Sequence, residues 1–159
     1  MIAKTKKFAL AHTTYVGLAM KNILTSQWWI ILLITLVCII PAFIWPDFDS
    51  WFFGLAITAP LLYLLFWLIQ FAGATRLQEF ELIFQKLSYE IDSKQILMKI
   101  KANQGSQIPW SMIKKAKKGK NHFVLIMSKA QLIYLPFNVF SSKQHIQFVE
   151  SILKRKELL

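Results

Sequence analysis

Two long apolar segments constrain the fold of this chain more than any other feature. Residues 28–45 and 51–73 contain no Asp, Glu, Lys or Arg, and a short polar break at 46–50 separates them. About 20 helical residues, rising ~1.5 Å each, cross the ~30 Å hydrocarbon core of a bilayer. Tryptophans flank both segments, which is typical of helices that end at the level of the lipid headgroups. We therefore predict a transmembrane hairpin over 28–73.

Two other interpretations of the apolar segments fit less well. A buried helical hairpin of a soluble protein needs enough chain to cover helices that are apolar on every side, and 159 residues leave only one small domain for this. A secretory signal peptide has a shorter apolar core and ends in a small-x-small cleavage site, whereas the first segment ends in Ile44-Trp45-Pro46.

The distribution of charge predicts the orientation of the hairpin. Fifteen basic and six acidic residues follow Gly73, and the turn between the apolar segments carries only Asp47 and Asp49. The segment before Trp28 has no acidic residue and four basic ones: Lys4, Lys6, Lys7 and Lys21. By the positive-inside rule we expect both termini in the cytoplasm and the turn outside.

Helical patterns flank the hairpin on both sides. In the N-terminal segment, 1–27, a short helix is expected from about Tyr15 to Leu24, capped by Thr13 or Thr14. It could lie at the inner membrane surface or pack on a soluble domain. At 74–86 the apolar residues recur at helical spacing, which predicts that the second transmembrane helix continues as a stiff helical extension.

From Leu87 onward the apolar period changes from helical to two, which indicates strands. Alternation on either side of residues 92–94 predicts a β-hairpin, followed by a polar loop at 102–107 and a tight turn after Trp110. Two further strands are expected at 123–127 and 131–135. We predict that Trp110 and Phe140 are buried.

The C-terminal segment has the pattern of an amphipathic helix. Ser141 or Ser142 can cap it, and Gln144 would complete a capping box with Ser141. Antiparallel strands closed by one such helix predict a cytoplasmic pleckstrin-homology-like β-barrel over 87–159. The expected fold class is therefore α+β, with a two-helix transmembrane hairpin and a barrel capped by the C-terminal helix.

A lysine run at residues 114–120 is the strongest candidate site. It contains five lysines, expected at the tip of a hairpin: Lys114, Lys115, Lys117, Lys118 and Lys120. Near a membrane, each lysine can add ~1 kcal/mol of attraction to anionic lipid. An acidic protein partner would fit the same charge, and so would a solvated strand that resists aggregation. Nucleic acid is not expected, because the interleaved aromatic residues of a single-strand binder are missing.

The residue patterns for catalysis and metal binding are missing from the sequence. His12, His122 and His145 are scattered without a neighbouring carboxylate at ligand spacing, and Cys38 is the only cysteine. The five glycines stand apart, so no phosphate-binding loop is formed. We expect no enzymatic activity and no cofactor.

Three segments resemble the YcxB-like family of bacterial membrane proteins: residues 87–92 (LSYEID), 108–113 (IPWSMI) and 133–142 (IYLPFNVFSS). The resemblance implies a cytoplasmic N-terminal segment, a two-helix membrane hairpin and a C-terminal domain similar to a pleckstrin-homology fold. It also implies a multi-pass protein of the bacterial inner membrane, and it brings no catalytic residues with it.

The expected function is a non-enzymatic binding or scaffold protein, such as an accessory subunit of a larger membrane complex. Its cytoplasmic domain would contact a partner or anionic lipid headgroups. The alternative is a small transport or channel component in which several hairpins surround a path.

Overall fold

The computed structural model describes residues 1–101 and 104–159, which form two compact units. The first unit, called the sheet domain, comprises Met1–His12 and Gln78–Leu159. The second, called the helical unit, comprises Thr13–Leu77. The sheet domain is thus built from two chain segments that lie on either side of the helical unit in the sequence.

The helical unit contains α1 (His12–Ser26, whose first residue belongs to the sheet domain), α2 (Trp28–Ile44) and α3 (Asp49–Ala74). A 3-10 turn, Pro46–Phe48, joins the last two. In the described chain, α3 alone is long and apolar enough to cross a membrane, over residues 50–74. The 17-residue α2 meets this criterion only together with α1, from which it is bent by 63°.

The buried face of α1 packs against α3 through an aromatic contact. Tyr15, Ala19 and Ile23 recur every four residues on one face of α1, and all three are fully buried. The Tyr15 ring meets the Phe71 ring of α3 edge to face at 6.5 Å. The short helix expected in the N-terminal segment therefore exists, and at Tyr15 it packs against α3.

The predicted continuous helix through residues 74–86 is wrong. Helix α3 ends at Ala74, and a separate helix, α4 (Gln78–Phe84), follows. The Thr75 hydroxyl donates to the Ala72 carbonyl at 2.7 Å, and the Arg76 N–H donates to the Gly73 carbonyl three residues earlier. Such tightened bonding is typical of helix ends.

The sheet domain contains two antiparallel sheets and a C-terminal helix. The first sheet has four strands in chain order: β1 (Ala3–Lys4), β2 (Ser88–Ile91), β3 (Gln95–Lys101) and β4 (Gln104–Pro109). The second has three: β5 (Lys115–Lys118), β6 (His122–Ile126) and β7 (Leu132–Pro136). Helix α5 (Lys143–Arg155) follows them.

The predicted closed barrel is wrong for the residues that the structure describes, because β4 and β5 do not pair. Pro109 ends β4 without an N–H to donate, and a 3-10 turn at Trp110–Met112 separates the two strands. The tight turn expected at Trp110 is confirmed. The hairpin of β2 and β3 is confirmed as well, with the Asp92 carboxylate accepting the Lys94 and Gln95 N–H groups at 2.6 and 2.7 Å.

The polar loop expected at 102–107 is wrong from Gln104 onward, where β4 pairs with β3; residues 102 and 103 lie outside the described residues. Polar edge strands lack an apolar alternation to reveal them. Gly105 in β4 has a specific reason to be glycine. A Cβ there would lie 2.5 Å from the Met98 carbonyl oxygen of the neighbouring strand.

The N-terminal arm adds β1 to the edge of β2, which the sequence did not predict. The Thr5 N–H donates to the Tyr89 carbonyl at 2.9 Å, and the Tyr89 N–H donates to the Thr5 hydroxyl at 2.8 Å. Phe8 and Leu87 exchange two further backbone hydrogen bonds, at 2.9 and 2.8 Å. Ala3 is fully buried, so the arm is part of the core.

The core of the sheet domain lies between the two sheets and α5. Trp110 and Phe140 both belong to it, as predicted, together with Val149, Ile152 and Leu153 of the helix. The expected capping box of α5 is wrong. The Ser142 hydroxyl caps the helix by accepting the His145 N–H at 3.3 Å, while Ser141 donates to the Lys4 carbonyl at 3.2 Å.

Candidate functional site

The lysine run forms an edge strand, with only its last residue at a hairpin tip. Lys114 precedes β5, Lys115, Lys117 and Lys118 lie on it, and Lys120 lies in the turn before β6. The Lys114 N–H donates to the Ile126 carbonyl at 2.8 Å, which fixes the start of the strand against β6.

The alternation of β5 divides the lysines between two faces of the sheet. Ala116 is buried and shares its face with Lys118, while Lys115 and Lys117 project from the opposite face. Lys114, Lys115, Lys118 and Lys120 are exposed, whereas Lys117 is half-buried. The structure thus brings the five lysines together along one edge but does not aim them in one direction.

Lys118 is held by an acidic residue on α5. Its Nζ lies 2.7 Å from Glu150 Oε2, and Lys154 approaches the other carboxylate oxygen at 3.1 Å. Hydrogen bonds from Lys118 and then Lys154 lower the pKa of the Glu150 carboxyl below its ordinary value. Sequence spacing could have indicated the i, i+4 pair on the helix, but not the partner on the strand.

Three lysines of the run remain available for an external anion. Within the described chain, Lys114, Lys115 and Lys120 have no carboxylate within ion-pair distance. The backbone edge of β5 is partly covered, because the Ala116 N–H donates to the Leu158 carbonyl at 2.7 Å. Charged side chains on such an edge also discourage pairing with another strand.

The whole formal net charge belongs to the unit that carries these lysines. The sheet domain contains seventeen of the 19 Lys and Arg residues and six of the eight Asp and Glu residues, so the helical unit is neutral by formal charge. One acidic residue of the domain, Glu90, is shared by Lys99 at 2.8 Å and Lys4 at 3.5 Å. The hydrogen bond from Lys99 is the main cause that lowers the pKa of Glu90.

The histidines and the cysteine do not assemble into a site. His12 stacks on Phe84 at 4.1 Å, and His122 lies against Tyr134 at 5.1 Å. Among the residues described, no three His, Cys, Asp or Glu side chains are grouped so as to hold a metal ion.

These observations define an α+β protein with a basic domain of two antiparallel sheets and a helical unit that contains one apolar helix of membrane-spanning length. Residues 91–153 match the family model described as YcxB-like protein. The match runs from the end of β2 into α5, and it confirms the resemblance noted in the sequence for this segment. Comparisons with curated proteins and with solved structures gave no match.

Proposed function

We propose that this is a non-enzymatic membrane protein whose pleckstrin-homology-like sheet domain binds an anionic membrane surface through the lysine run. The observation that carries the proposal is the distribution of charge. The entire formal net charge of +11 falls on the sheet domain, and three exposed lysines of one edge have no acidic partner among the described residues. Antiparallel strands followed by one amphipathic helix support the pleckstrin-homology-like assignment.

The membrane part of the proposal is a two-helix hairpin formed by α2 and α3. The exposed surface of α3 supports it, because only 6% of an apolar 18-residue stretch of this helix is buried within the protein. A core helix of a soluble protein would be mostly buried. Trp51, for example, is 74% exposed. Water would disfavour so large an apolar surface, whereas a bilayer would cover it.

The pairing of β1 with β2 supports an even number of crossings. These strands precede and follow the helical unit in the chain, and Lys4 pairs with Glu90 within one sheet. Two strands that share hydrogen bonds must lie on the same side of a bilayer, because backbone groups cannot pair across hydrocarbon. If α3 crosses, the chain must cross once more, and α2 is the apolar helix available for this. Its 17 residues are at the short end of the range for a spanning helix.

The positive-inside rule then places the sheet domain and both termini in the cytoplasm. Two reporters fused after Leu159 test this, one active only in the cytoplasm and one active only outside it. We expect activity from the first alone. Activity of the external reporter would contradict the topology.

Contact between the lysine run and lipid can be measured on the full chain in nanodiscs. Cys38→Ser removes the only cysteine, and Asn121→Cys provides a labelling position in the exposed turn beside Lys120. Quenching of a dye at this position by headgroup-labelled lipid reports contact with the surface. We expect strong quenching in phosphatidylglycerol discs at low salt, and weak quenching in phosphatidylcholine discs or at high salt, because surface charges are screened beyond ~8 Å at physiological salt.

A charge-matched pair of variants separates the lysine run from net charge. The test variant replaces Lys114, Lys115 and Lys120 with Gln; at ~1 kcal/mol each, their loss should weaken contact by about a hundredfold. The control replaces three exposed lysines elsewhere on the domain: Lys6, Lys94 and Lys143. Equal quenching by the two variants, or quenching that survives high salt, would refute lipid binding by the run and favour an acidic protein partner.

A further inference from the structure

A cavity of about 250 Å³ lies inside the sheet domain beside α4. Its walls come from β2, β3 and β4 of the first sheet, from the 3-10 turn at Met112, and from residues around the turn between β6 and β7. The lining is mostly apolar, and it includes three of the five methionines of the chain: Met98, Met112 and Met127.

One hydroxyl in this lining, that of Tyr89, has no hydrogen-bond partner in the described part of the chain. Tyr89, Met98 and Ser106 are aligned across β2, β3 and β4, so their side chains share one face of the sheet. Tyr89 is 5% exposed, and its hydroxyl has no hydrogen-bond partner within residues 1–101 and 104–159. Burial raises the pKa of Tyr89 to about 12, so the hydroxyl stays protonated and can donate. A protonated hydroxyl in the cavity lining that has no partner in the described chain is available to donate to a ligand with an oxygen acceptor.

The shape and lining of the cavity suit a flexible hydrocarbon chain. Methionine side chains are unbranched and polarisable, and they adapt to ligands of irregular shape. A dry cavity of ~150 Å³ accommodates benzene, so by the same ratio this one accommodates roughly ten carbon atoms. Met112 is 50% exposed, so the lining reaches the surface of the domain.

The chain segments that line the cavity lead directly into the lysine run. Lys114 follows Met112 by two residues, and its N–H is bonded to the carbonyl of Ile126, the neighbour of Met127. Positive charge near a pocket raises the local concentration of anionic ligands. The preferred ligand is therefore an amphipathic anion.

We propose that this cavity binds a medium-chain fatty acid, with the hydrocarbon chain among the methionines and the carboxyl group accepting a hydrogen bond from Tyr89. This inference goes beyond membrane attachment, because a fatty acid could bind whether or not the lysine run touches the bilayer. Three exposed lysines can attract the anion, but only the cavity can enclose its chain.

Photolabelling of the full chain in nanodiscs tests the proposal. The probe is decanoate with a diazirine at the end of its chain, and mass spectrometry locates the labelled peptides. We expect labelling of the peptides that contain Met98, Met112 and Met127, and its suppression by excess decanoate. Labelling confined to α2 and α3, as expected of a fatty acid dissolved in the bilayer, would overturn the proposal.

Two variants of the cavity and one matched control make the test specific. Tyr89→Phe removes only the hydroxyl and should weaken labelling about fivefold, the contribution of one hydrogen bond. Met127→Trp should fill the cavity and abolish labelling. Tyr134→Phe makes the same chemical change on β7 outside the cavity and should have no effect. Hydrogen exchange in β6 confirms that each variant is folded.

Two further results would refute the assignment. Labelling of Tyr89→Phe equal to that of the unsubstituted chain would exclude the hydrogen bond. Equally strong labelling by a decane probe would exclude recognition of the carboxyl group and favour an apolar side chain of a protein partner. Cavity labelling that persists after the three Lys→Gln changes, while lipid contact is lost, would support a ligand site separate from the membrane surface.

Discussion

Replacement of Trp110 offers the most direct measurement of how the sheet domain is held together. The side chain is 5% exposed, and its indole N–H donates to the Asp92 carbonyl at 2.9 Å, which ties the 3-10 turn to the β2–β3 hairpin. Lys156 Nζ lies 5.9 Å from the centroid of the same ring. Trp110 therefore packs in the core, donates a hydrogen bond to the Asp92 carbonyl and lies beside the Lys156 ammonium group.

Two substitutions separate the contribution of volume from that of the hydrogen bond. Trp110→Ala should cost ~3–5 kcal/mol, because the surrounding core collapses only partly into the space left behind. Trp110→Phe retains most of the apolar volume but leaves the Asp92 carbonyl unpaired, at a cost of ~1–3 kcal/mol. Against a total stability of ~5–15 kcal/mol for a typical domain, only the first change removes a large share.

Hydrogen exchange of the full chain in nanodiscs provides the readout. In Trp110→Ala, exchange in β6 should accelerate by about two to four orders of magnitude, since each 1.4 kcal/mol is a factor of ten. In Trp110→Phe the effect should be smaller there and most pronounced in the turn after Asp92.

The matched control is Trp51→Ala, which changes an exposed tryptophan of α3 in the helical unit. It should leave exchange in the sheet domain unaltered. If Trp110→Ala also leaves β6 protected, Trp110 does not hold the core. If exchange rates in Trp110→Phe equal those in Trp110→Ala throughout the domain, the contributions of the hydrogen bond and of the side-chain volume are not separable.

Three further predictions follow from particular contacts. Ser142→Ala should remove the cap of α5 and destabilise the domain by ~0.5–2 kcal/mol, visible as faster exchange at the start of the helix, whereas Ser142→Asp should preserve it. Gly105→Ala should force β4 away from the Met98 carbonyl and lower the melting temperature of the domain; an unchanged melt would mean that the strands do not approach so closely. The pKa of Glu150 is lowered in the folded protein, so its stabilising effect is present above its ordinary value of 4.5 and is lost as the pH falls through the folded pKa. Unfolding measured between neutral and acidic pH should therefore depend less on pH in Glu150→Gln than in the unsubstituted chain, and identical pH profiles would argue against the ion pair with Lys118.

Strong periodic patterns allowed much of the fold to be predicted. The β2–β3 hairpin, the apolar stripe of α5 and the burial of Trp110 each depend on local alternation or on a large apolar side chain, whose preference for the interior is nearly independent of context. The lysine run was also recognised from the sequence, because a cluster of like charges is a local feature that needs no tertiary information.

The features that were missed have no local signal. The two-residue strand β1 carries no measurable period, and it is a strand only because the edge of β2, more than eighty residues away, offers free backbone groups. The polar edge strand β4 depends on β3 in the same way. The break between α3 and α4 could not be read from the periodicity, which continues across it.

The sequence by itself determined which segments are apolar, which are amphipathic and where the positive charge lies, because these properties belong to single residues and their spacing. Only the tertiary structure decided that the two ends of the chain join in one domain and that Lys118 is bound to Glu150 while its neighbours are not. It also decided that the Tyr89 hydroxyl lines a cavity, with no partner among the described residues. These outcomes depend on which groups meet across long distances in the chain. Hydrogen bonds and ion pairs form only at short range, so the pattern of residues along the sequence cannot specify them before the chain has folded.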